Sequence, residues 1–519
     1  RQRQMCIRDR FRIMRKISYM IVTTGNILLI GSTLLFVSLI IGRTGYKLGI
    51  PVLLLFLIVG MIFGSDGVGI QFHNAGEAQF IGTLSLCIIL FAGGMDTKIN
   101  DIRPIIPQGV ILATVGVLLT TFITGYFIYW LIGSLYPSMA APLVGCLLLA
   151  AVMSSTDSAS VFNILRSKSL NLKQNMRPLL ELESGSNDPM AYMLTILLLQ
   201  IIQSGDMSWG QILLSFFMQF SIGIIMGYVL GRIAVYIINH VCLMNNSLYQ
   251  VILLTFLFFT FSITDLLNGN GYLAVYLAGL VIGNHRIVYK KNIANFFDGL
   301  AWLFQIIMFL SLGLLVNPKD LWGVAHIGLL IGIFLIFIAR PLAVFLCLLP
   351  FRKMTLPGRI FVSWIGLRGA VPIIFATYPL LADIEGASQI FNIVFFITIL
   401  SLLIQGTTVS GAARMLGLAH LAQEKPNEFD MELSEDIKSI VAEASVMPDL
   451  LTEGDRLQDL HFPQNTLVIM IKRYENYFVP NGHTRLLPGD KLLLLSDNEE
   501  ELRHTLAQLG IEEYTLRRN

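Results

Sequence analysis

The feature that most constrains this chain is a succession of apolar stretches that runs from Gly25 to about Gly417. Each stretch is about twenty residues long, which is the length of helix needed to cross the hydrocarbon core of a bilayer. Charged residues make up only 13% of the chain, whereas about a quarter is usual in soluble proteins. From His420 onward the sequence is richer in charge. We therefore predict an all-α polytopic membrane domain followed by a small soluble domain.

The apolar stretches predict about thirteen membrane-spanning helices. The expected spans are residues 26–42, 50–65, 78–95, 109–132, 141–164, 180–203, 210–238, 248–267, 271–284, 297–316, 322–349, 358–380 and 388–414. Lys and Arg are concentrated in the loops that follow the odd-numbered spans, and acidic residues predominate in the other loops. Because cytoplasmic loops are enriched in Lys and Arg, this alternation predicts an external N-terminus and a cytoplasmic C-terminus.

The chain is expected to contain four segments. Residues 1–25 form an N-terminal extension that is in part not native, because its basic residues contradict the charge pattern of the loops. Residues 26–416 form the transmembrane domain, residues 417–448 an acidic linker and residues 449–519 the soluble domain. The other basic residues are dispersed in short loops, so we expect the lipid bilayer and not a nucleic acid as a partner.

The five cysteines include no Cys-x-x-Cys pair, and four of them lie in apolar stretches. Such cysteines are typical of small packing residues rather than of metal ligands or a disulfide framework. We therefore expect neither a resident metal ion nor a cofactor.

Ionisable side chains inside the predicted spans are the strongest functional signal. Each costs about 2.5–3.5 kcal/mol at the bilayer centre on insertion scales. Among them are Asp157, Glu183, Asp188, Arg340 and Arg368. Charge pairs that only hold the helices together are the simpler explanation, and we assign Arg340 to that role. Three carboxylates among hydroxyl and amide side chains instead indicate a functional site.

A run of hydroxyl side chains lies in the middle of the fifth span, where Ser-Ser-Thr-Asp-Ser extends from Ser154 to Ser158. So many hydroxyl groups compete with the helix for backbone hydrogen bonds, which predicts an unwound segment. Unwound backbone at membrane depth is tolerated where it lines a cavity. It also exposes the carbonyl oxygens and helix ends that ion sites use.

The sixth span carries the sequence Glu-Ser-Gly-Ser-Asn-Asp-Pro, which begins at Glu183. At helical spacing Glu183 and Asn187 share one stripe of the helix. Ser184 and Asp188 share the adjacent stripe. One helix face thus presents two carboxylates, a hydroxyl and an amide, an oxygen-rich set that suits hard cations. Neighbouring acids cannot all stay ionised without a counter-charge, for which Arg368 is the best candidate.

Together these elements resemble the NhaP-type monovalent cation/proton antiporters over about residues 26–416. The matching motifs are Thr156-Asp157, Glu183-Ser184 with Asn187-Asp188, Gly366-Leu367-Arg368-Gly369 and Leu90-Phe91-Ala92-Gly93-Gly94. The Glu-Ser-Gly-Ser-Asn-Asp-Pro block is most similar to the potassium/proton subgroup. The resemblance implies a homodimer with inverted repeats in a bacterial inner membrane, in which two crossed and discontinuous helices hold the ion.

The resemblance also implies the roles of individual residues. Asp188 would contact the cation directly, and Arg368 would compensate carboxylate charge by pairing with Glu183. The full set of implied cation-binding or proton-binding residues is Asp188, Asn187, Glu183, Ser184, Thr156 and Asp157. The transported cation would then be the only metal ion that the protein binds.

The C-terminal residues resemble the TrkA-C domain, which regulates potassium transporters. The resemblance begins near Leu451 and includes two short apolar runs, residues 467–471 and 492–495, that are bounded by turn residues. Such runs predict buried strands, and residues 502–509 predict a closing helix, so this is expected to be a small α/β domain. The chain has no Gly-x-Gly-x-x-Gly sequence near it. A small molecule or a nucleotide is the kind of ligand that we consider for this domain.

The expected activity is exchange of potassium, sodium or both for protons by alternating access, for ion and pH homeostasis. Because Asn187 stands where some antiporters have a second Asp, we expect electroneutral one-for-one exchange. The alternative is a gated monovalent cation channel regulated by the C-terminal domain, although the sequence has no filter like Thr-Val-Gly-Tyr-Gly. Proton-coupled uptake without cation exchange also stays open. We expect no enzymatic activity, since the His-Glu-x-x-His motif of a membrane protease is missing.

Overall fold

The computed structural model describes residues 24–48, 51–70, 72, 74–135, 142–168, 170–205, 208–421, 440–446, 455–459, 462, 466–474, 476–508 and 514–517. The chain divides into two compact units, Arg1–Ala422 and Gln423–Asn519. Nearly all of the predicted N-terminal extension, residues 1–23, lies outside the described residues.

The first unit is predominantly helical. Its helices are α1 (Thr24–Leu48), α2 (Val52–Phe63), α3 (Ala75–Asp96), α4 (Ile99–Leu135), α5 (Leu143–Val152), α6 (Ser158–Ser167), α7 (Met176–Ser204), α8 (Trp209–His240), α9 (Leu248–Leu266), α10 (Gly271–Gly283), α11 (Lys290–Leu315), α12 (Pro318–Leu348), α13 (Leu356–Trp364), α14 (Ala370–Leu381) and α15 (Ala387–Met415). Two short strands, β1 (Leu170–Leu172) and β2 (Ala419–Leu421), pair in antiparallel orientation.

Every predicted span overlaps one of these helices or a pair of them. Seven of the described helices are long and apolar enough to cross a bilayer, namely α3, α4, α8, α9, α11, α12 and α15. Helices α2, α5, α10 and α14 are apolar but shorter. The all-α polytopic architecture is thus confirmed, and the number of thirteen crossings stays a prediction.

Local side chains set several helix starts in this unit. Asn74 precedes α3, where its Oδ1 accepts hydrogen bonds from the N–H of Gly76 at 3.0 Å and the N–H of Glu77 at 3.3 Å. Ser208 precedes α8 and forms a capping box with Gln211. These side chains satisfy N–H groups that the first turn of a helix leaves without helical partners.

Helix α10 packs mainly against α3 and α8. A Cβ on Gly94 of α3 would collide with the backbone carbonyl of Tyr276. Conversely, a Cβ on Gly279 of α10 would lie 2.5 Å from the carbonyl oxygen of Phe91. Glycines on both helices therefore let the two backbones touch, as small residues do in membrane helix pairs. This close packing holds α10 firmly against α3.

Helix α7 carries Glu183 and Asp188, the two carboxylates of the sixth predicted span, here called the acidic cluster. It packs against α5 and against a π-helical turn, Leu112–Gly116, inside α4. The helix continues through Pro189 instead of ending there. Because proline has no N–H, the helical ladder lacks one hydrogen bond at that point. The acidic cluster therefore lies on a continuous helix that is locally weakened.

The small sheet of β1 and β2 links two distant parts of the first unit. Leu170 pairs with Leu421, and the N–H of Lys173 donates to the carbonyl of Leu418 at 2.9 Å. Strand β1 lies between α6 and α7, and β2 follows α15. The chain that leaves the last helix is thus hydrogen-bonded to the segment that joins α6 to α7.

The second unit is an antiparallel sheet with one described α-helix. Its strands are β3 (Ile440–Ser445), β4 (Thr466–Arg473), β5 (Asn476–Phe478), β6 (Lys491–Ser496) and β7 (Tyr514–Arg517), and its helix is α16 (Glu499–Gln508). The strand order is β5-β4-β6-β3-β7. Leu502 and Leu506 of α16 share a core with Leu492 and Leu494 of β6. The predicted strands and closing helix are confirmed, and Leu509 lies outside the described residues.

Strand β3 lies inside the predicted linker, residues 417–448, yet it pairs with β6. The sheet therefore begins by Ile440 rather than at residue 449. The surrounding acidic residues obscure this short apolar segment, because net composition dominates over a run of only six residues. Residues 422–439 of the predicted linker lie outside the described residues.

A bidentate ion pair fixes the turn before β6 to strand β4. The buried carboxylate of Asp490 accepts hydrogen bonds from Arg473, with Nε–Oδ1 and Nη2–Oδ2 distances of 2.9 and 2.7 Å. Hydrogen bonding to Asp490 raises the pKa of Arg473 above its ordinary value. Oδ2 of Asp490 also accepts a bond from the N–H of Leu487 at 2.9 Å. Pairs of this geometry are among the stronger side-chain hydrogen bonds.

Candidate ion-binding site

Two helices of the first unit are interrupted, and the interruptions meet. Residues 153–157, the first break, separate α5 from α6, and residues 365–369, the second break, separate α13 from α14. The N–H of Asp157 in the first break donates to the carbonyl of Leu367 in the second at 2.8 Å. The crossed and discontinuous helices that were expected are therefore confirmed.

A glycine allows the two breaks to touch. A Cβ on Gly369 would collide with the carboxylate of Asp157, so a larger residue would push the breaks apart. The Asp157 carboxylate also accepts a hydrogen bond from the N–H of Ser160 at 3.1 Å and another from the Ser160 hydroxyl. It thereby caps the start of α6. Asp157 thus has a structural function at the crossing, and its contact with a cation stays a prediction.

The guanidinium of Arg368 reaches from the second break to the first. Its Nη1 donates to the carbonyl oxygens of Ser154 at 2.8 Å and Ser155 at 2.5 Å. Carbonyls at the end of a helix lack helical partners and carry partial negative charge. This explains why the buried guanidinium of Arg368 is stable there. The backbone N–H of Arg368 donates to Ser401 Oγ of α15 at 2.9 Å.

The predicted pairing of Arg368 with Glu183 is wrong, because Glu183 pairs with Arg340. Only 1% of Glu183 and 3% of Arg340 are exposed. Arg340 directly follows a π-helical turn, Leu335–Ala339, in α12. The extra residue in such a turn rotates the side chains that follow it around the helix axis, which changes the direction in which Arg340 leaves the helix. Arg340 therefore has a structural role, as predicted, but its partner is Glu183, one of the acidic residues of the candidate site.

Helix α7 presents hydroxyl, amide and carboxylate groups to the first break. The Ser155 hydroxyl donates to Asp188 Oδ1. Asn187 Nδ2 donates to Thr156 Oγ1 at 2.5 Å, and Ser184 Oγ donates to the Thr156 carbonyl at 2.9 Å. Side chains from both predicted stripes of the sixth span therefore contact the first break.

Two buried oxygen atoms of α7, Asn187 Oδ1 and Glu183 Oε2, accept no hydrogen bond within the described part of the chain. Asp188, the residue directly after Asn187, is only 6% exposed. Buried acceptors without donors are costly, and amide and carboxylate oxygens are the ligands that hard cations prefer. The site can therefore offer oxygen atoms to a cation or, at the carboxylates, to a proton.

The structure brings together the residues predicted to bind the cation or the proton, since all of them lie on α7 or in the first break. Their binding roles stay predictions. The sequence pattern did not identify Ser155 as the partner of Asp188, although Ser155 belongs to the hydroxyl run. It also missed Ser401 and Gln405 of α15, which are hydrogen-bonded to each other at 2.6 Å. Gln405 Nε2 in turn donates to the Trp364 carbonyl at 2.8 Å, which supports the second break. No motif marks these two residues.

Discontinuous helices that cross at membrane depth, with polar groups gathered at the crossing, are the ion-site architecture of secondary transporters. The fold and the site therefore define a multi-pass membrane transporter. A family model described as the transmembrane part of the sodium/hydrogen exchanger matches residues 32–414, and one for the TrkA-C domain matches residues 441–507. The chain belongs to the sodium/hydrogen exchanger family.

Similar proteins agree with both family matches. The K(+)/H(+) antiporter NhaP2 of Shewanella sp. (strain ANA-3) is 37% identical over 479 residues, which cover 92% of this chain and 82% of the relative. The K(+)/H(+) antiporter NhaP of Alkalimonas amylolytica is 40% identical over 421 residues, which cover 80% and 72%. The solved sodium proton antiporter MjNhaP1 of Methanocaldococcus jannaschii has the same fold, with a TM-score of 0.65, 24% identity and coverage of 75% of this chain and 99% of that chain. The resemblance to NhaP-type antiporters is thus confirmed.

Separating the Glu183–Arg340 pair should strongly destabilise the protein. Arg340→Met leaves the Glu183 carboxylate buried without its counter-charge, and removing one partner of a buried pair costs about 3–5 kcal/mol. Adding Glu183→Gln to the same chain should recover most of that loss. Both effects are measured by unfolding the purified protein in detergent with heat or with a denaturant.

The matched control for this prediction is Lys319→Met. Lys319 is 81% exposed and its Nζ lies 2.9 Å from Asp66 Oδ1. Hydrogen bonding from Lys319 lowers the pKa of Asp66 below its ordinary value, but water screens an exposed pair and little stability is expected from it. A double variant at Glu183 and Arg340 whose loss equals the sum of the two single losses would contradict the pairing.

Proposed function

We propose that this protein exchanges a monovalent cation for protons across a membrane, with Asp188 as the binding site that both ions share. The observation that carries this proposal is a buried carboxylate at two crossed helix breaks, next to residues whose buried oxygens accept no hydrogen bond from the described residues. The names of the relatives, K(+)/H(+) antiporters, support exchange. They give no support to the alternative of a gated channel.

The charges at the crossing favour one-for-one exchange. The ionised cluster contains three carboxylates and two guanidinium groups, from Asp157, Glu183, Asp188, Arg340 and Arg368. It therefore has one excess negative charge, which a single cation or a single proton neutralises. Because a net charge is costly in a low-dielectric interior, we expect the neutralised states to be the ones that change conformation. Exchange is then electroneutral.

Cation and proton compete for the same carboxylate in this mechanism. Ionised Asp188 binds the cation, with further oxygen atoms from Asn187, Glu183, Ser184, Thr156 and Asp157. Protonated Asp188 has lost the charge that attracts the cation. The site opens to one side of the membrane at a time, and it changes sides only when a cation or a proton is bound. The two fluxes are thereby coupled.

Potassium, sodium or both are the proposed cations, because the relatives named K(+)/H(+) antiporters align with most of the chain. We place the protein in a bacterial inner membrane on the family resemblance. The charge pattern of the loops supports an external N-terminus and a cytoplasmic C-terminus. A homodimer is proposed from the family resemblance. Arg368 keeps its proposed role as a counter-charge, since it lies beside Asp188 in the crossing.

Asp188→Asn should abolish cation-driven proton movement while the protein remains folded and inserted, because an amide carries no negative charge and releases no proton. Dissipation of a pH gradient in everted membrane vesicles, with potassium, sodium, lithium and rubidium added in turn, measures the loss. Asp265→Asn is the control, since Asp265 is an exposed carboxylate near the end of α9. Clear cation-driven proton movement by membrane-inserted Asp188→Asn protein would contradict this mechanism.

The second unit is proposed to tune exchange and not to perform it. Every residue assigned to the ion site precedes Gly417. The hydrogen bonds between β1 and β2 support a route for regulation, because β1 joins α6 to α7 and β2 leads toward the second unit. A small molecule or nucleotide bound there can act only by favouring one conformational state over another.

A chain that ends after Leu421 should keep exchange, its cation selectivity and its dependence on Asp188, because it retains the whole crossing and strand β2. Its activity should shift in pH or ion-concentration dependence, since the regulatory unit is missing. Vesicle flux assays over a range of pH and potassium concentration measure the shift. If the truncated protein is stable and inserted but shows no exchange under any condition, the second unit is required for transport itself.

A further inference from the structure

Asn270, just before α10, joins three helices through one buried residue. Its Nδ2 donates to the carbonyl of Pro189 on α7 at 2.7 Å. Its Oδ1 accepts a hydrogen bond from the N–H of Leu273 at 3.0 Å, which caps the start of α10. Its own N–H donates to the carbonyl of Gln219 on α8 at 3.0 Å. The side chain is fully buried, so its polar groups are committed to these partners.

The bond to Pro189 falls where α7 is weakest. Pro189 cannot donate to the carbonyl of Gly185, one turn earlier, so the helical ladder lacks a hydrogen bond across the turn that contains Asn187 and Asp188. A turn with a missing bond is held less firmly by its own helix. A contact from a neighbouring helix therefore has more influence on its position there than elsewhere in α7.

Helix α10 is suited to provide that contact because it is itself anchored. Its backbone packs closely on α3 through glycines, and its start is fixed to α8 by Asn270. A second contact lies at Gly185, where a Cβ would collide with the ring of Tyr276. Helix α10 thus touches α7 at Gly185 and at Pro189, on both sides of the turn that carries Asp188.

We propose that Asn270 is a positioning residue for ion binding, which acts through the Pro189 carbonyl to fix the turn of Asp188 against the first break. The proposal rests on the proposed function of Asp188. A cation needs several oxygen atoms at defined distances, whereas a proton needs only one oxygen atom. Loss of the Asn270–Pro189 bond should therefore weaken cation binding more than proton binding.

Asn270→Ser tests this proposal. Serine is a good residue for capping a helix start, so α10 keeps its cap, but the side chain is too short to keep the bond to Pro189. The half-saturating potassium concentration should rise about two- to tenfold, the equivalent of one neutral hydrogen bond. The pH profile of exchange should move to higher pH, because a cation that binds more weakly displaces protons from the site only at a lower proton concentration.

The substitution leaves the charged groups around Asp188 in place. Asp157 and Arg368 face it from the two breaks, and Glu183 and Arg340 form their own pair. Two titratable residues of α10 pack on α7 nearby, Tyr276 at Gly185 and Tyr272 against the ring of Tyr192. A shifted pH profile in Asn270→Ser therefore reports altered competition and not a new charge.

Asn74→Ser is the matched control, since Asn74 caps α3 in the same way but is exposed and bonds Glu77 rather than another helix. The unmodified protein, Asn74→Ser and Asn270→Ser are compared in proteoliposomes, with the amount of inserted protein measured in each. If Asn270→Ser is too poorly folded, Asn270→Thr replaces it, because threonine also caps a helix and also falls short of Pro189.

The expected result is a higher half-saturating potassium concentration and an alkaline shift in the Asn270 variant only. A fall in maximal rate with both quantities unchanged would overturn the positioning role and leave a structural one. Equal shifts in Asn74→Ser would also overturn it. If the unmodified protein shows no cation-driven proton movement, the proposed function fails instead, so the two failures are distinguishable.

Discussion

The structure depends on the contact between two unwound backbone segments in the middle of the membrane-spanning unit. Backbone N–H and C=O groups have no water to bind at this depth, so each must find a partner in the protein. Here each break satisfies the other, through the bond from the Asp157 N–H to the Leu367 carbonyl and through Arg368 on the carbonyls of Ser154 and Ser155. The cost of interrupting two helices is thereby offset, and polar groups gather at one point.

The charges at this point follow from the same contact. Arg368 donates through Nη1 to the carbonyl oxygens at the end of α5. The guanidinium that pairs with Glu183 is that of Arg340, on α12. Asp157 is engaged in capping α6. Asp188 is therefore the carboxylate whose charge is least committed to structure, with a single hydroxyl from Ser155 as its described side-chain partner. This arrangement connects the fold to a competition between one cation and one proton.

Much of this could be predicted from the sequence, because hydrophobic length and local hydrogen-bonding competition act over short distances. The positions of the helices, the break at the hydroxyl run and the shared face of Asn187 and Asp188 all follow from such local patterns. The partner of Glu183 could not be predicted, since a π-helical turn before Arg340 changes the helical register without a sequence signal. Asn270 likewise looks like an ordinary cap, and its bond to Pro189 joins residues 81 positions apart.

If one carboxylate binds either a cation or a proton, a cation that binds to the protonated site must release the proton. Potassium is added to the purified protein in weakly buffered detergent solution, and the protons released are counted for each cation bound. About one proton per chain is expected at a pH where the site is protonated, because each chain has one Asp188, and none is expected from Asp188→Asn. Cation binding without proton release, or equal release from Asp188→Asn, would contradict the shared binding site.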